Sequence, residues 1–562
     1  MNSTSQTDKP TKSPTILDFF LQHEAQTPES IFLKQPTKNG WDQYTWREAG
    51  KESRKILASM QKLGLRKGDR VAILSQNCAA WVMCDIAIMM GGFISVPLYA
   101  NVNATTMQDI LNHSEARLLF AGKLHPQDWE NQRAAIPSGV ITVGMQGYEK
   151  ESVTSWDHFL AGDAENVTAP IPLPVLEDVF TIIYTSGTTG TPKGVVHTHG
   201  SVISALNVAC KEVLLDQKGN RFFSYLPLSH AAERGLVEFG AIYSGGSISF
   251  VASQERFAFN IREAKPTHFF GVPRIWEKFQ DKILQSVPQK KLNMLLAIPV
   301  ASYLIKSKIK KSLGLDKADV LLTGAAPMSP ELMLWFQKIG LPIREAYGMS
   351  ENFNVCAMNP KNQIRIGSVG KLFDNQEVVI DPETQEIKQR CGWIMKGYHK
   401  DPEQTAITLR DGFLHTGDMG ELSSDGFLKL TGRVKDIFKT TKGVYIAPGK
   451  IELQFLSLPA IDQACVLGMK YPQPFVVAVL SKMGRVMKKE ELTDLLESML
   501  IAYNQNCMEY QKLNKVIIVK DEWTIDNGLL TPTFKMKRNS LAAKYEAAFG
   551  AIYNLDENVS WE

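Results

Sequence analysis

Val179 to Gly194 reads VFTIIYTSGTTGTPKG, an apolar, β-branched run that gives way to a turn of glycines and hydroxyl side chains ending in Pro192-Lys193-Gly194. Branched and aromatic residues over 179–183 predict a buried strand, because stiff side chains of this kind pack well on a pleated surface. The segment after it has a different chemistry. Gly187, Gly190 and Gly194 let backbone approach an anion closely, Thr185, Ser186, Thr188 and Thr189 supply hydroxyl donors, and Lys193 adds a positive charge. A flexible Gly/Ser/Thr linker needs neither a buried strand before it nor a Pro-Lys-Gly ending, so the combination points to a polyphosphate-binding turn. It is not a GxxxxGK[ST] loop, since Pro192 precedes Lys193 and Gly194 follows it.

Outward from this turn, similar apolar strands are predicted at Arg70–Leu74 (RVAIL) and Val320–Leu322 (VLL), with helix-like stretches between them, which argues for an α/β fold. The pattern changes after Gly432–Asp436 (GRVKD). Beyond it come apolar strands at 464–467, 475–480 and 516–519 and a charged helix over 488–500. The expected organisation is a large multi-lobed N-terminal α/β body, residues 15–434, followed by a small mobile C-terminal α+β lobe, residues 435–562. A chain of 562 residues is too long for one core and accommodates this division.

Composition narrows the function classes. With 44% hydrophobic and 22% charged residues the chain has globular character, and a net charge of only +3 gives no concentrated basic face for nucleic acid. Seven scattered cysteines without CxxC spacing read as reduced core thiols. The N-terminal residues lack an apolar stretch, so a cytoplasmic location is expected. Leu292–Ile305 (LNMLLAIPVASYLI) is interrupted by Pro299 and is shorter than the roughly 20 residues that cross a bilayer. It reads first as a core helix with a solvated end at Lys306, Lys308, Lys310 and Lys311. The same pattern also suits peripheral contact with a membrane surface.

Further motifs follow the turn in order: Tyr225–Arg234 (YLPLSHAAER), Thr323–Pro327 (TGAAP), Tyr347–Glu351 (YGMSE), His415–Asp418 (HTGD), Gly432–Asp436 (GRVKD) and Leu530–Arg538 (LTPTFKMKR). In this order and spacing the sequence resembles the adenylate-forming (AMP-binding) superfamily, over a span from about Phe19 into the C-terminal lobe, and is most similar to long-chain fatty acyl-CoA synthetases. The resemblance implies ATP, Mg²⁺ and coenzyme A as ligands. It further implies that Thr185, Ser186, Gly187, Thr188, Thr189, Gly190 and Lys193 cradle the phosphates, with Ser350, where relatives more often carry Thr, donating to the α-phosphate.

By the same resemblance Tyr347 offers adenine a flat face and Gly324, Ala325 and Ala326 form the opposite wall, although Tyr347 also suits an ordinary core position. Glu351 is the expected Mg²⁺ ligand, because this hard cation favours carboxylate together with phosphate oxygen. Asp418 is expected to accept from both ribose hydroxyls, and Arg433 to contact the sugar or a phosphate or else form a structural ion pair. Lys535 matches the family's catalytic lysine, with Lys537 as the competing assignment because Phe534 stands where relatives often have glycine. Lys435 matches the hinge about which the lobe turns between half-reactions, and Gly443 the glycine beside the pantetheine tunnel, where a simple tight turn is the alternative.

For the acid, His230 and Ala231 stand where amino-acid-activating relatives place an aspartate, which excludes an ammonium-bearing substrate. Gly348 stands where acetyl-specific relatives carry tryptophan, so His230 and Gly348 are expected to line a longer acyl pocket. The region 381–399 (DPETQEIKQRCGWIMKGYH) departs from the family's usual glycine-rich pattern but keeps MKGY. The expected reaction is activation of a medium- or long-chain fatty acid as its adenylate with pyrophosphate release, then transfer to coenzyme A. Loading of an acyl carrier protein is the alternative acceptor.

Overall fold

A computed structural model describes residues 13–38, 40–148, 150, 153–161, 173–185, 192–524, 527–530, 536–546 and 548–562. Two large sheets build the body. The first runs in the order 397–398, 193–198, 179–185, 94–98, 70–74, 116–121, 141–144; it is parallel except where the strand pair 179–185/193–198 and the short strand 397–398 turn antiparallel. The second has a parallel half (344–347, 320–323, 268–270, 221–224, 247–250, 31–36) that continues into an antiparallel half formed by strands between 357 and 433. This is a mixed α/β architecture, as the strand spacing predicted.

The helix Ala79–Met90 explains how the layers meet. All twelve of its residues are buried, so it must be covered on every side, and its side chains join those of both sheets in one apolar cluster. At the centre of that cluster lies a fully buried charge, Arg234, in the π-helical turn Arg234–Phe239. Its guanidinium donates to both Asp85 oxygens at 2.7 and 2.5 Å and to Thr181 Oγ1 at 2.8 Å, and it lies 4.7 Å from the Phe180 ring and 5.2 Å from that of Phe239. Glu238 Oε2 lies 3.5 Å from Arg234 Nε, and burial pushes its carboxyl well up, with Asp85 adding to the shift.

Residues beyond 437 form their own four-stranded sheet in the order 461–467, 475–480, 516–519, 559–561. Side chains of residues 438–561 alone make the apolar clusters on its two faces. Among the described residues the body's clusters stop at Leu430. The helix expected at 488–500 runs further, over Lys489–Gln505. Five of the seven cysteines are buried, while Cys391 and Cys507 are partly exposed, and all are free thiols.

One expectation is corrected. Leu292–Ile305 is not a core helix: the chain breaks at Pro299 into helices Gln289–Ala297 and Pro299–Leu313. Proline lacks the N–H and clashes with the preceding turn, so it can only start a helix here. The two short helices fold into a hairpin that buries Leu292, Ile309 and Leu313, whereas Met294, Ile298, Val300, Tyr303 and Leu304 are exposed.

Removing one member of a buried pair strands the other charge at about 3–5 kcal/mol. Arg234→Met is therefore expected to lower unfolding stability by that amount in urea titration, and Asp85→Asn added to it to restore part of the loss. An unchanged midpoint in the single variant would contradict this role for the pair.

Candidate active site

The strands on either side of the glycine-rich turn pair antiparallel. Tyr184 pairs with Gly194 and Thr185 with Lys193, which brings the two ends of the turn together. Ser186, Gly187, Thr188, Thr189 and Gly190 lie outside the described residues. A Cβ on Gly194 would fall 2.7 Å from Ile182 Cγ2 and 3.2 Å from His399 Cβ, so close packing excludes any larger residue. The Lys193 ammonium donates to Gln404 Oε1 at 2.6 Å and stands 5.4 Å from the Tyr398 ring centroid. Tyr398, in the MKGY segment, is brought alongside because Gly397–Tyr398 pairs with the strand Lys193–Thr198.

Tyr398 continues the connection. Its hydroxyl donates to Glu351 Oε1 at 2.8 Å, so the expected cation ligand and the turn's lysine share one tyrosine. Burial first, and the Glu351 charge second, hold that phenol protonated. Glu351 sits in the single turn Ser350–Asn352 after strand Arg344–Tyr347. This turn is fastened from behind: Met395 N–H donates to Glu351 O at 2.8 Å, and buried Asn352 donates to Gln389 Oε1 at 2.6 Å. His197 Nε2 is 2.7 Å from Ser350 O. Burial pushes His197 down to about 4, so the ring is neutral and its single N–H must be on Nε2 to donate to that carbonyl.

At Gly348 a Cβ would meet the Asn354 backbone at 2.2 Å. Glycine is demanded there by backbone packing, and its side-chain direction holds protein rather than the open acyl path expected from sequence.

A second cluster forms at Asp418. Tyr347 OH donates to Asp418 Oδ2 at 2.8 Å and Arg433 Nε to Oδ1 at 2.6 Å, across the pairing of strands Phe413–Leu422 and Phe427–Arg433. A carboxylate offers about four acceptor directions, so two remain for a vicinal diol. The ion-pair alternative for Arg433 is the contact observed. Tyr347 is buried, in keeping with its core alternative, but its hydroxyl is committed to the site. Gly324 packs so that a Cβ would lie 2.9 Å from Ala346 O, while exposed Ala325 adopts φ +66°, a conformation that costs a non-glycine residue energy and is concentrated at functional sites.

Sequence reading missed several residues of this constellation. Glu386 accepts from Gly417 N–H at 2.9 Å and lies 2.9 Å from His415 Nδ1, so it shapes the HTGD turn. It lies in the segment that departs from the family pattern, where the surviving Glu386-Ile387 pair was the only signal. Glu345, two residues before Tyr347 on the same strand, is a buried carboxyl that burial pushes up to about 7. Tyr398 and Gln404 carried no sequence signal beyond the MKGY motif.

The other expected residues are placed as follows. His230 caps the short helix Ala231–Glu233, accepting from Ala232 N–H at 3.2 Å. Lys435 is exposed in the turn Val434–Asp436. Gly443 has φ +82° in a turn closed by its own N–H to Thr440 O at 2.9 Å, matching the tight-turn reading. Lys535 lies outside the described residues. Near it Leu530 pairs with Met536, and Arg538 clamps Glu452 at 2.6 and 2.9 Å; Lys537 is exposed.

The described geometry therefore sets a cation and a carboxylate on either side of Tyr398, with a second carboxylate, Asp418, held through Tyr347 of the same YGMSE segment as Glu351. This chemistry suits a nucleotide. A family profile described as AMP-binding enzyme matches residues 20–398, and one described as AMP-binding enzyme C-terminal domain matches residues 435–557. The chain is 27% identical to long-chain-fatty-acid–CoA ligase FadD15 of Mycobacterium bovis, over 95% of this chain and 96% of that one. It is 31% identical to the peroxisomal long chain acyl-CoA synthetase 7 of Arabidopsis thaliana, over 91% and 82%. Its fold matches the crystal structure of the anthranilate CoA ligase AuaEII in complex with anthranoyl-AMP, with a TM-score of 0.76 at 21% identity, covering 96% of this chain and 99% of that one.

Because His197 has a folded pKa of about 4 against 6.5 for the free side chain, the unfolded chain takes up this proton first as pH falls. The stabilisation, on the order of 3 kcal/mol, is complete above pH 6.5 and is lost as pH drops toward 4. His197→Gln is expected to lower the melting temperature most at neutral pH, with the gap to the unsubstituted protein closing in acid. A gap that stays constant across that range would refute the neutral-ring assignment.

Proposed function

Since this chain belongs to the AMP-binding enzyme family, we infer that it activates a medium- or long-chain fatty acid as its acyl-adenylate and transfers the acyl group to coenzyme A. The observation that carries this reading is the pair of clusters Lys193–Tyr398–Glu351 and Tyr347–Asp418, drawn from separate motifs and joined through the YGMSE segment that holds both Tyr347 and Glu351. The fatty acid is supported by relatives named as long-chain acyl-CoA ligases that align along most of their length.

In the first step a carboxylate oxygen bonds to the α-phosphorus of ATP as the bond to the β-phosphate oxygen breaks, releasing pyrophosphate. Lys193 and the hydroxyls of 185–189 offset the charge on the outer phosphates, which matters most where water is excluded. Among the described residues no group of three His, Cys, Asp or Glu could hold a metal. Mg²⁺ at Glu351 would therefore take its remaining ligands from phosphate and water, a coordination it favours, and would neutralise phosphate charge. Asp418, held by Tyr347 and Arg433, receives the ribose hydroxyls, and Ser350 donates to the α-phosphate. Tyr347, with Gly324, Ala325 and Ala326, brackets adenine. Lys535 bridges the substrate carboxylate and α-phosphate from the C-terminal lobe.

In the second step the thiolate of coenzyme A attacks the acyl carbonyl carbon and AMP departs. Rotation of residues 435–562 about Lys435 brings Gly443 to the pantetheine path, and the separation of apolar clusters between Leu430 and Phe438 is consistent with such a rotation.

Incubation with ATP, Mg²⁺ and acids from acetate to eicosanoate is expected to release AMP and pyrophosphate, greatest for the longer chains. Release of ADP, or no pyrophosphate with any acid, would overturn the reading. Free coenzyme A is expected to serve as acceptor; turnover only with an acyl carrier protein would move the assignment to the alternative. Lys535→Ala should cut adenylation about 10²–10³-fold, while thioester formation from synthetic acyl-adenylate continues. Lys435→Pro should give the reverse pattern, read in the same two half-reaction assays.

A further inference from the structure

We propose that the hairpin of helices Gln289–Ala297 and Pro299–Leu313 is a docking wedge for an anionic lipid bilayer surface. Its corner is apolar and uncovered: Met294 is 59% exposed, Ile298 53%, Val300 72%, Tyr303 75% and Leu304 60%. These are large side chains, and a soluble surface rarely gathers so many in one place without a partner.

Helical spacing shows that this is a designed face. On the second helix Val300, Tyr303, Leu304, Lys308 and Lys311 recur at three- and four-residue intervals and form one stripe, while buried Ile309 and Leu313 hold the opposite side against the body. On the first helix Lys290, Lys291, Met294 and Ile298 fall on one exposed side, and buried Leu292 faces inward. The stripe is apolar at the Pro299 corner and basic away from it, on both helices.

Charge identifies the occupant. From residue 287 to 315 the chain carries six lysines and no Asp or Glu; Lys290, Lys291, Lys308 and Lys311 are exposed on the stripe, while Lys306 and Lys310 run beside Gly340 of the body. An apolar protein partner would leave those four exposed charges without counterions, whereas an anionic headgroup layer supplies them while the corner enters the acyl boundary. No helix among the described residues is long and apolar enough to cross a membrane, so the contact is a surface one.

The docking face is separate from the nucleotide residues, and its test needs no turnover. The full chain is sedimented with vesicles of phosphatidylcholine alone and of an equimolar phosphatidylcholine–phosphatidylglycerol mixture, at low and high salt. Binding is expected only to the mixed vesicles, and to weaken with salt. Lys308→Glu with Lys311→Glu should lower it on the order of tenfold or more, and Tyr303→Asp with Leu304→Asp should abolish it, with melting temperatures unchanged because these side chains are exposed. Failure of the unsubstituted chain to bind mixed vesicles, or equal binding by both double variants, would overturn the proposal. So would a lipid-free dimer in sedimentation velocity that Tyr303→Asp with Leu304→Asp converts to monomer, since a second copy would then be the occupant.

Discussion

A guanidinium with no exposed surface is held at the point where the helix Ala79–Met90, the strand Val179–Thr185 and the segment after YLPLSHAAE converge. Desolvating a charge costs several kcal/mol, and the fold offsets this only by surrounding Arg234 with Asp85, Thr181 and three aromatic faces in one geometry. Asp85 in turn accepts from Ser95 at 2.6 Å, and Thr181 donates to Ser95 O at 2.9 Å. The strand that launches the phosphate turn is thereby tied to neighbouring layers by directional bonds as well as by apolar contact. Sliding any one element would break one of these bonds, so the register of the strand Val179–Thr185 is fixed from beneath.

The same logic governs the candidate site at smaller scale. Three carboxylates there have a committed donor: Glu351 has Tyr398, Asp418 has Tyr347 and Arg433, and Glu386 has Gly417. Such partners fix the direction of a negative group while leaving it acceptor capacity for an incoming ligand. His197, Asn352 and Gln389 supply the rigidity behind Ser350 and Glu351 without adding charge beside them. Holding groups in place before the ligand arrives avoids reorganisation when charge develops.

Much of this was legible in sequence because its signals are local. Val516–Val519 declares itself by four branched residues in a row and the strand before the turn by branched and aromatic ones, the pattern of strands buried on both faces. What was not legible lies in long-range pairing. The contact of Tyr398 with Glu351 spans 47 residues, that of His197 with Ser350 spans 153, and neither residue type marks its partner. Gly348 shows a different limit: one letter is compatible with an open pocket and with a backbone in contact, and only the position of Asn354 decides. Leu292–Ile305 failed for a compositional reason, since an apolar run states that a surface avoids water without stating what covers it.

The four-stranded sheet past Phe438 finishes its apolar packing on both faces with its own side chains. What ties it to the body includes polar pairs such as Arg274 with Asp462 and Lys450 with Glu421, both partly or largely open to solvent. Contacts of this kind are typically worth about 1 kcal/mol or less and are screened by salt. A unit whose clusters are closed by its own side chains takes its apolar packing from within, so added salt weakens such pairs at the joint while leaving the sheet's own core untouched.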